Sequence, residues 1–180
     1  MPSPSGELAD VVLGFDRVED YVATNACFGA TVGRFGNRIR RGRFELDGQR
    51  FQVVCNEGLN SLHGGANGFD KRIWTSEADP EHNAVSFSLV SPDGDEGFPG
   101  EMWLTSTYEL TDDQVVQITM TATTERPTLC NLVHHGYFNL AGHASGTVLR
   151  GGSVCLNTCR GVSKWIGRSF RPPPGLVTAG

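Results

Sequence analysis

The feature that most constrains the fold of this chain is an alternation of apolar and polar residues with a period of two. It is clearest in the segment VQITMTA, residues 116–122, and it recurs in VSFSL, residues 85–89. Successive side chains of a strand point to opposite faces, so this pattern predicts half-buried strands. The Asp47-Gly48 step between two further alternating runs predicts a tight hairpin turn. The chain is therefore predicted to be an antiparallel, sandwich-like, all-β protein.

Glycine content and weak helical periodicity favour the same fold class. The chain contains 23 glycines among its 180 residues, and abundant glycine favours tight turns over a helical bundle. The best helix candidate is short and lies around residues 17–21. No internal repeat or low-complexity linker divides the sequence, which predicts a single domain over residues 1–180.

Charge and hydropathy argue against two classes of partner. The formal net charge is -5, whereas a nucleic-acid-binding surface is basic, so no nucleic-acid partner is expected. No run of about 18 apolar residues occurs, so neither a transmembrane helix nor a membrane partner is expected. Residues 1–10 lack the basic start and apolar stretch of a signal peptide, which predicts a cytoplasmic protein.

The cysteines favour reduced thiols over disulfides or a metal site. There are five of them, an odd number spread along the chain. Cys155 and Cys159 are four residues apart and have no pair of histidines nearby, so they do not match zinc-ligand spacing. We therefore expect no metal site.

Two glycine-rich loops are candidates for a binding site, because rigid sheets often carry binding residues on such loops. They span residues 60–72 (NSLHGGANGFDKR) and residues 91–100 (SPDGDEGFPG). From residue 151 onward the strand pattern weakens, and the three prolines at 172–174 cannot enter a central strand. The tail, residues 151–180, is predicted to be loosely ordered.

Four groups of residues could carry chemistry. They are Asn37-Arg38 before the first hairpin, His63 in the first loop, the adjacent pair His134-His135, and the acidic residues of the second loop. Arginine offers five fixed hydrogen-bond donors, and histidine can give or take a proton near neutral pH. These residue types suit a polyhydroxyl ligand. Residue chemistry alone leaves open whether the site performs acid–base catalysis or only binds carbohydrate.

Each group also has a purely structural interpretation. Arg38 belongs to a basic stretch with Arg34, Arg40 and Arg41, and such a stretch is typical of a solvated face. His63 could be an ordinary surface residue of its loop. The acidic side chains of the second loop have the character of turn formers; they are Asp93, Asp95 and Glu96.

The adjacent histidines cannot serve one site together if they lie on a strand. Neighbouring strand residues face opposite sides of the sheet, so at most one of His134 and His135 points into a given site. The other is expected to be packed or solvent-facing.

At these positions the sequence resembles the aldose 1-epimerase family. VGRFGNRIRRGRFELDGQRF is similar to that family's GR-x-x-NRI-x-x-G-x-F-x-LDG hairpin, and NSLHGGANGFDKRIW to its NSLHGG-x-x-GFDK-x-x-W loop. SPDGDEGFPG resembles SPDGEEG[FY]PG, and PTLCNLVHHGYFNLAG resembles PTPVNLTNHSYFNLAG. The segments follow the family's order and cover most of residues 8–142, so the resemblance rests on several motifs together.

The resemblance implies an antiparallel β-supersandwich and a cofactor-free interconversion of the α and β anomers of an aldohexose such as galactose or glucose. It implies that His135 is the general acid, while His134 replaces the family's asparagine and Gly136 its serine or threonine. The implied substrate-binding residues are Asn37, Arg38, His63, Gly136 and Tyr137.

The resemblance further implies that the chain is partial. The family's opening strands and C-terminal part have no counterpart here, and its general base, a glutamate, falls in that C-terminal part and is expected to be absent from this chain. The 180 residues alone are therefore predicted to be poorly soluble and to have at most marginal epimerase activity. Two alternatives to a mutarotase are a non-catalytic carbohydrate-binding relative and a protein similar to hexose-6-phosphate epimerases, for which Arg40 and Arg41 would be the extra basic residues.

Overall fold

The computed structural model of the chain describes residues 8–113 and 115–146. Over these residues it contains ten strands, one five-residue helix and three short 3-10 turns, so the all-β prediction is confirmed. The strands are β1 Thr31–Val32, β2 Arg38–Ile39, β3 Arg43–Leu46, β4 Gln49–Gln52, β5 Ser61–Leu62, β6 Thr75–Asp79, β7 Ala84–Ser91, β8 Met102–Leu110, β9 Val116–Thr124 and β10 Val133–His134. The helix α1, Val18–Val22, lies where the sequence predicts one. The tail at 151–180 lies outside the described residues, and no helix in the described part is long and apolar enough to cross a membrane.

Strands β6 to β9 form a four-stranded antiparallel meander in sequential order. Its register places Leu89 opposite Leu104, and Leu104 opposite Ala122. Leu89 and Ala122 are apolar positions of the alternating segments VSFSL and VQITMTA, from which these strands are predicted. The other face is rich in serine and threonine, with Ser88, Thr105 and Thr121 side by side. The meander therefore has one apolar and one polar face, as expected for a sheet packed on one side.

The remaining strands form three short antiparallel pairs: β3 with β4, β2 with β5, and β1 with β10. The β3–β4 pair is the hairpin predicted around Asp47-Gly48, and Phe44 stacks on its cross-strand partner Phe51 at 5.1 Å. The other two pairs join segments that are distant in sequence, since Thr31 lies opposite His134 and Arg38 opposite Leu62.

Two apolar clusters hold these elements together. In the first, Ile39, Val53 and Phe98 are buried under the β3–β4 hairpin. In the second, Phe69 packs against Met102 and Leu104 of the meander. Burying each such side chain contributes about 1.5–3 kcal/mol relative to leaving it exposed. The second cluster thus attaches the first glycine-rich loop, which contains Phe69, to the sheet.

Arg34 corrects one expectation from the sequence. The sequence predicts a solvated basic stretch, and Arg38, Arg40 and Arg41 are indeed exposed, but Arg34 is only 1% exposed. Its guanidinium donates to the main-chain carbonyls of the second loop and to two hydroxyls: Ser91 O and Oγ, Pro92 O, Pro99 O, Gly100 O and Thr128 Oγ1. It also lies over the ring of Phe98, at 5.8 Å from the centroid. Arg34 is therefore an internal anchor for the loop at 91–100.

Candidate functional site

Strands β2 and β5 bring Asn37, Arg38 and His63 together. Beyond the Arg38–Leu62 pair, the N–H of His63 donates to the carbonyl of Asn37 at 3.0 Å. The N–H of Asn37 in turn donates to Nδ1 of the His63 ring, also at 3.0 Å. Two reciprocal hydrogen bonds therefore link the two residues, and both have positive φ, which is uncommon outside glycine.

The hydrogen bond from the N–H of Asn37 determines the tautomer of the neutral His63 ring. Burial, and then the charge of His135, lowers the pKa of His63 and favours its neutral form. Because Nδ1 accepts from Asn37, the neutral ring carries its proton on Nε2. His63 therefore presents an N–H donor, which suits contact with a sugar hydroxyl better than proton abstraction.

The glycine after His63 allows the loop to approach the chain closely. Gly64 has a φ of +90°, and a Cβ there would overlap the carbonyl of Gly33. Only glycine meets both conditions. The tight contact places the His63 loop directly against the segment that enters β2.

Glu96 of the second loop supports the His63 loop through a hydrogen bond to its main chain. Its carboxylate accepts the N–H of Ala66 at 2.8 Å and covers Gly65, while its main-chain carbonyl accepts the N–H of Val54 at 2.8 Å. The two glycine-rich loops predicted from the sequence thus form one connected structure. Glu96, a residue that SPDGDEGFPG shares with the motif SPDGEEG[FY]PG, therefore positions the loop that carries His63.

The other acidic residues of the second loop are structural, in agreement with the expectation that they form turns. Asp95 is bound to Arg72 at 2.6 Å and accepts from Ser91 Oγ. Asp93 accepts the N–H of Gly100 and pairs with Arg126. These interactions hold the loop closed, and neither residue contacts the histidines.

His135 reaches the site from the far end of the described chain. It follows β10, and its N–H donates to the carbonyl of Ala30 at 2.8 Å. Its own carbonyl accepts the N–H of Gly29 at 3.0 Å. The main chain of Gly29 and Ala30, just before β1, therefore fixes the position of this histidine.

The rings of His135 and His63 lie edge to face, with centroids 5.2 Å apart and planes at 86°. The ring of Tyr137 also packs against His135, with centroids 5.2 Å apart, and meets the ring of Phe28 at 5.5 Å. Of the residues selected from the sequence, Asn37, Arg38, His63, His135 and Tyr137 thus lie on one continuous surface. Two imidazoles, an arginine and an aromatic ring converge there.

His134 faces away from that surface, as the strand argument predicts. Its Nδ1 is hydrogen-bonded to the hydroxyl of Tyr108 at 3.2 Å, and that hydroxyl lies 3.0 Å from Thr31 Oγ1. Its ring packs between Tyr108 and Phe138 at 5.5 and 6.5 Å. Burial, followed by the charge of His135, lowers its pKa. His134 is therefore a packed, hydrogen-bonded residue behind the site.

Gly136 contacts His134 in a way that explains both departures from the family pattern. A Cβ at Gly136 would overlap Nε2 of His134 and lie 3.0 Å from the ring of Phe138. With the His134 ring in this position, a side chain at 136 would force the ring to move, so glycine at 136 suits histidine at 134. We expect the two departures to compensate each other.

This compensation predicts a favourable coupling between the two positions. Gly136→Ser alone is expected to destabilise the protein by about 1–3 kcal/mol through overpacking, and His134→Asn is expected to restore most of that loss. Urea denaturation of the parent, both single variants and the double variant measures the coupling. Additive effects of the two substitutions would contradict the explanation.

Glu57 is a residue of the site that the sequence reasoning missed. Its carboxylate accepts two hydrogen bonds from Arg38, from Nε and Nη2, each at 2.5 Å. The contact lowers the pKa of Glu57, chiefly through the hydrogen bond from Arg38. No pattern in the sequence indicates this pair, because it depends on the register of β2 against β5.

This chain resembles known proteins in sequence and in structure over most of its own length. The family model for aldose 1-epimerase matches residues 2–153. Galactose mutarotase from Bos taurus is 47% identical over 143 residues, which are 79% of this chain and 41% of that protein. Aldose 1-epimerase from Escherichia coli K12 is 41% identical over 145 residues, 81% of this chain and 42% of the relative. The chain thus spans about two fifths of the length of the curated relatives it matches.

The crystal structure of a GalM/aldose epimerase homologue from C. elegans superimposes with a TM-score of 0.71 at 36% sequence identity. The match covers 77% of this chain and 42% of that chain. Together with the strand content, this confirms the β-supersandwich predicted from the sequence.

Proposed function

Because this chain belongs to the aldose 1-epimerase family, we propose that it binds an aldohexose and interconverts its α and β anomers. The observation that carries the proposal is the convergence of His63 and His135, 5.2 Å apart, beside Asn37 and Arg38. The names of relatives, galactose mutarotase and aldose 1-epimerase, support an aldose such as galactose as the substrate.

Binding rests on donors that converge on one surface. His63 offers Nε2–H, and Arg38 retains N–H groups that Glu57 does not occupy, because the carboxylate takes Nε and one proton of Nη2. The amide oxygen of Asn37 lies 3.4 Å from Nη1 of Arg38. Tyr137, 45% exposed, supplies an aromatic face next to His135. Gly136, which has no side chain, precedes Tyr137 in the chain.

In the proposed reaction, His135 in its protonated form gives a proton to the ring oxygen of the sugar. A base removes the proton of the anomeric hydroxyl, and the bond between C1 and the ring oxygen breaks to leave an open-chain aldehyde. Rotation about the C1–C2 bond followed by the reverse transfers closes the ring on the other face. Histidine suits the acid role because it exchanges a proton near neutral pH.

A binding-only role is the second candidate, and one observation favours it. Glu57 contacts the site through Arg38, and the hydrogen bond from Arg38 lowers the pKa of its carboxyl group. A carboxylate held in this way is a weak base. A site with a proton donor and sugar contacts but without a matching base would bind an aldose and not interconvert its anomers.

Polarimetry on freshly dissolved α-galactose separates the two candidates. A mutarotase is expected to bring the optical rotation to equilibrium faster than buffer alone, in proportion to protein concentration. Binding without acceleration, with galactose-induced shifts of the His63 and His135 ring signals in NMR, would instead support a carbohydrate-binding protein. If the protein accelerates the mutarotation of neither galactose nor glucose, and neither sugar shifts the His63 and His135 ring signals, the proposal is wrong.

A cytoplasmic location is part of the proposal. Cys27, Cys55 and Cys130, the cysteines of the described residues, are free thiols. Free thiols are typical of a reducing compartment. The proposed partner is a small neutral sugar.

A further inference from the structure

The ion pair between Glu57 and Arg38 has a geometry suited to orienting the arginine. The carboxylate takes the side of the guanidinium formed by Nε and Nη2, in the two-bond arrangement that fixes both planes. Both side chains are partly exposed, at 53% for Arg38 and 38% for Glu57. A solvent-exposed pair contributes little to folding stability, so its effect is on the position and charge of Arg38.

Glu57 is itself held by the turn that leads to His63. Its N–H donates to the carbonyl of Asn60 at 3.1 Å, and the N–H of Asn60 donates back at 2.9 Å. The side chain of Asn56 bonds the N–H and carbonyl of Leu62 and the carbonyl of Gly65. The loop that carries His63 thus also carries the carboxylate that holds Arg38.

The pair changes the charge that a ligand meets. Without Glu57, the exposed guanidinium would present a full positive charge on the surface shared with His63 and His135. With Glu57 bound, the remaining N–H groups of Arg38 still donate hydrogen bonds, but the adjacent negative charge opposes an anionic ligand. Such a site favours hydroxyl groups over phosphate groups.

Resting on the proposed function, we propose that Glu57 is a positioning and specificity residue, which orients Arg38 for a neutral sugar and disfavours phosphorylated sugars. This assignment also disfavours the hexose-6-phosphate alternative. Glu57 acts through Arg38 and takes no part in proton transfer.

The test compares the affinities of glucose and glucose 6-phosphate, measured by NMR titration of the parent protein and four variants, which are Glu57→Gln, Glu57→Asp, Glu45→Gln and Arg38→Ala. Glu57→Gln keeps the size of the side chain and removes its charge. It is expected to shift the preference toward glucose 6-phosphate by roughly fivefold, the scale of one exposed charge contact. Glu57→Asp keeps the charge but shortens the reach, so it is expected to weaken glucose binding without shifting the preference.

Glu45→Gln is the matched control. Glu45 is exposed and pairs with Arg50 at 3.6 Å on the β3–β4 hairpin, so this substitution changes the net charge equally but leaves Arg38 untouched. It is expected to alter neither affinity. Circular dichroism spectra of the variants verify the fold. If Glu57→Gln is unstable, weaker glucose binding by Glu57→Asp still tests whether Glu57 positions Arg38.

The outcomes separate this inference from the proposed function. If the parent binds glucose and Arg38→Ala weakens that binding, but Glu57→Gln leaves the preference unchanged, the role of Glu57 is wrong and the proposed function stands. The role of Glu57 is equally wrong if Glu45→Gln shifts the preference as much as Glu57→Gln. If the parent binds neither ligand, both are overturned.

Discussion

Replacing Arg34 by methionine is expected to lower the free energy of unfolding by about 3–5 kcal/mol. Methionine has a similar length but no donors, so the loop carbonyls and hydroxyls that Arg34 binds would be left buried without a partner. The negative charge of Asp95, which also binds Arg72, would lose a neighbouring compensating charge. Burial of an unpaired polar group is among the most destabilising changes a single substitution can make.

Urea denaturation measures this loss, with Arg50→Met as the control. The Arg50 side chain is 89% exposed and forms one long ion pair with Glu45, so its replacement is expected to change stability by less than about 0.5 kcal/mol. If the two variants differ by less than about 1 kcal/mol, Arg34 is not the anchor of the loop at 91–100.

In a protein extended to the length of the curated relatives, of which this chain spans about two fifths, replacing His135 by asparagine is expected to reduce the catalysed rate of anomer interconversion by about 10²–10⁴-fold, the usual contribution of one general acid. Asparagine keeps a hydrogen-bonding group near Tyr137 but cannot transfer a proton. The main-chain bonds to Gly29 and Ala30 do not depend on the side chain, so the fold should persist. Polarimetry on galactose is expected to show a rate no different from buffer.

Two other histidines serve as controls for this experiment. His82 is exposed and pairs with Asp79 in the β6–β7 turn, so His82→Asn should leave the rate unchanged. His134→Asn should be nearly neutral for the rate, because the ring points to Tyr108 and not to the site. A greater loss at His134 than at His135 would reverse the assignment of the acid.

The Asp47-Gly48 step predicted the turn of the hairpin. The alternation of apolar and polar residues predicted the strands because it reports which face of a strand is buried. The same reasoning separated His134 from His135, since neighbouring strand residues face opposite sides. It failed for Arg34, because the burial of a charged residue depends on acceptors supplied by residues 57 to 94 positions further along the chain. It also missed Glu57, whose contact with Arg38 exists only once β2 and β5 are in register.

The pairing of β1 with β10 also bears on the order in which the chain folds. The meander forms from neighbouring segments, whereas Thr31 and His134 must close a loop of about a hundred residues before they pair. Such closure is entropically costly, and contacts between distant segments form slowly. The meander can therefore nucleate first, while His135 meets His63 late. Amide hydrogens of β7 and β8 should be protected early in refolding, and those of Gly29 and His135 should be among the last.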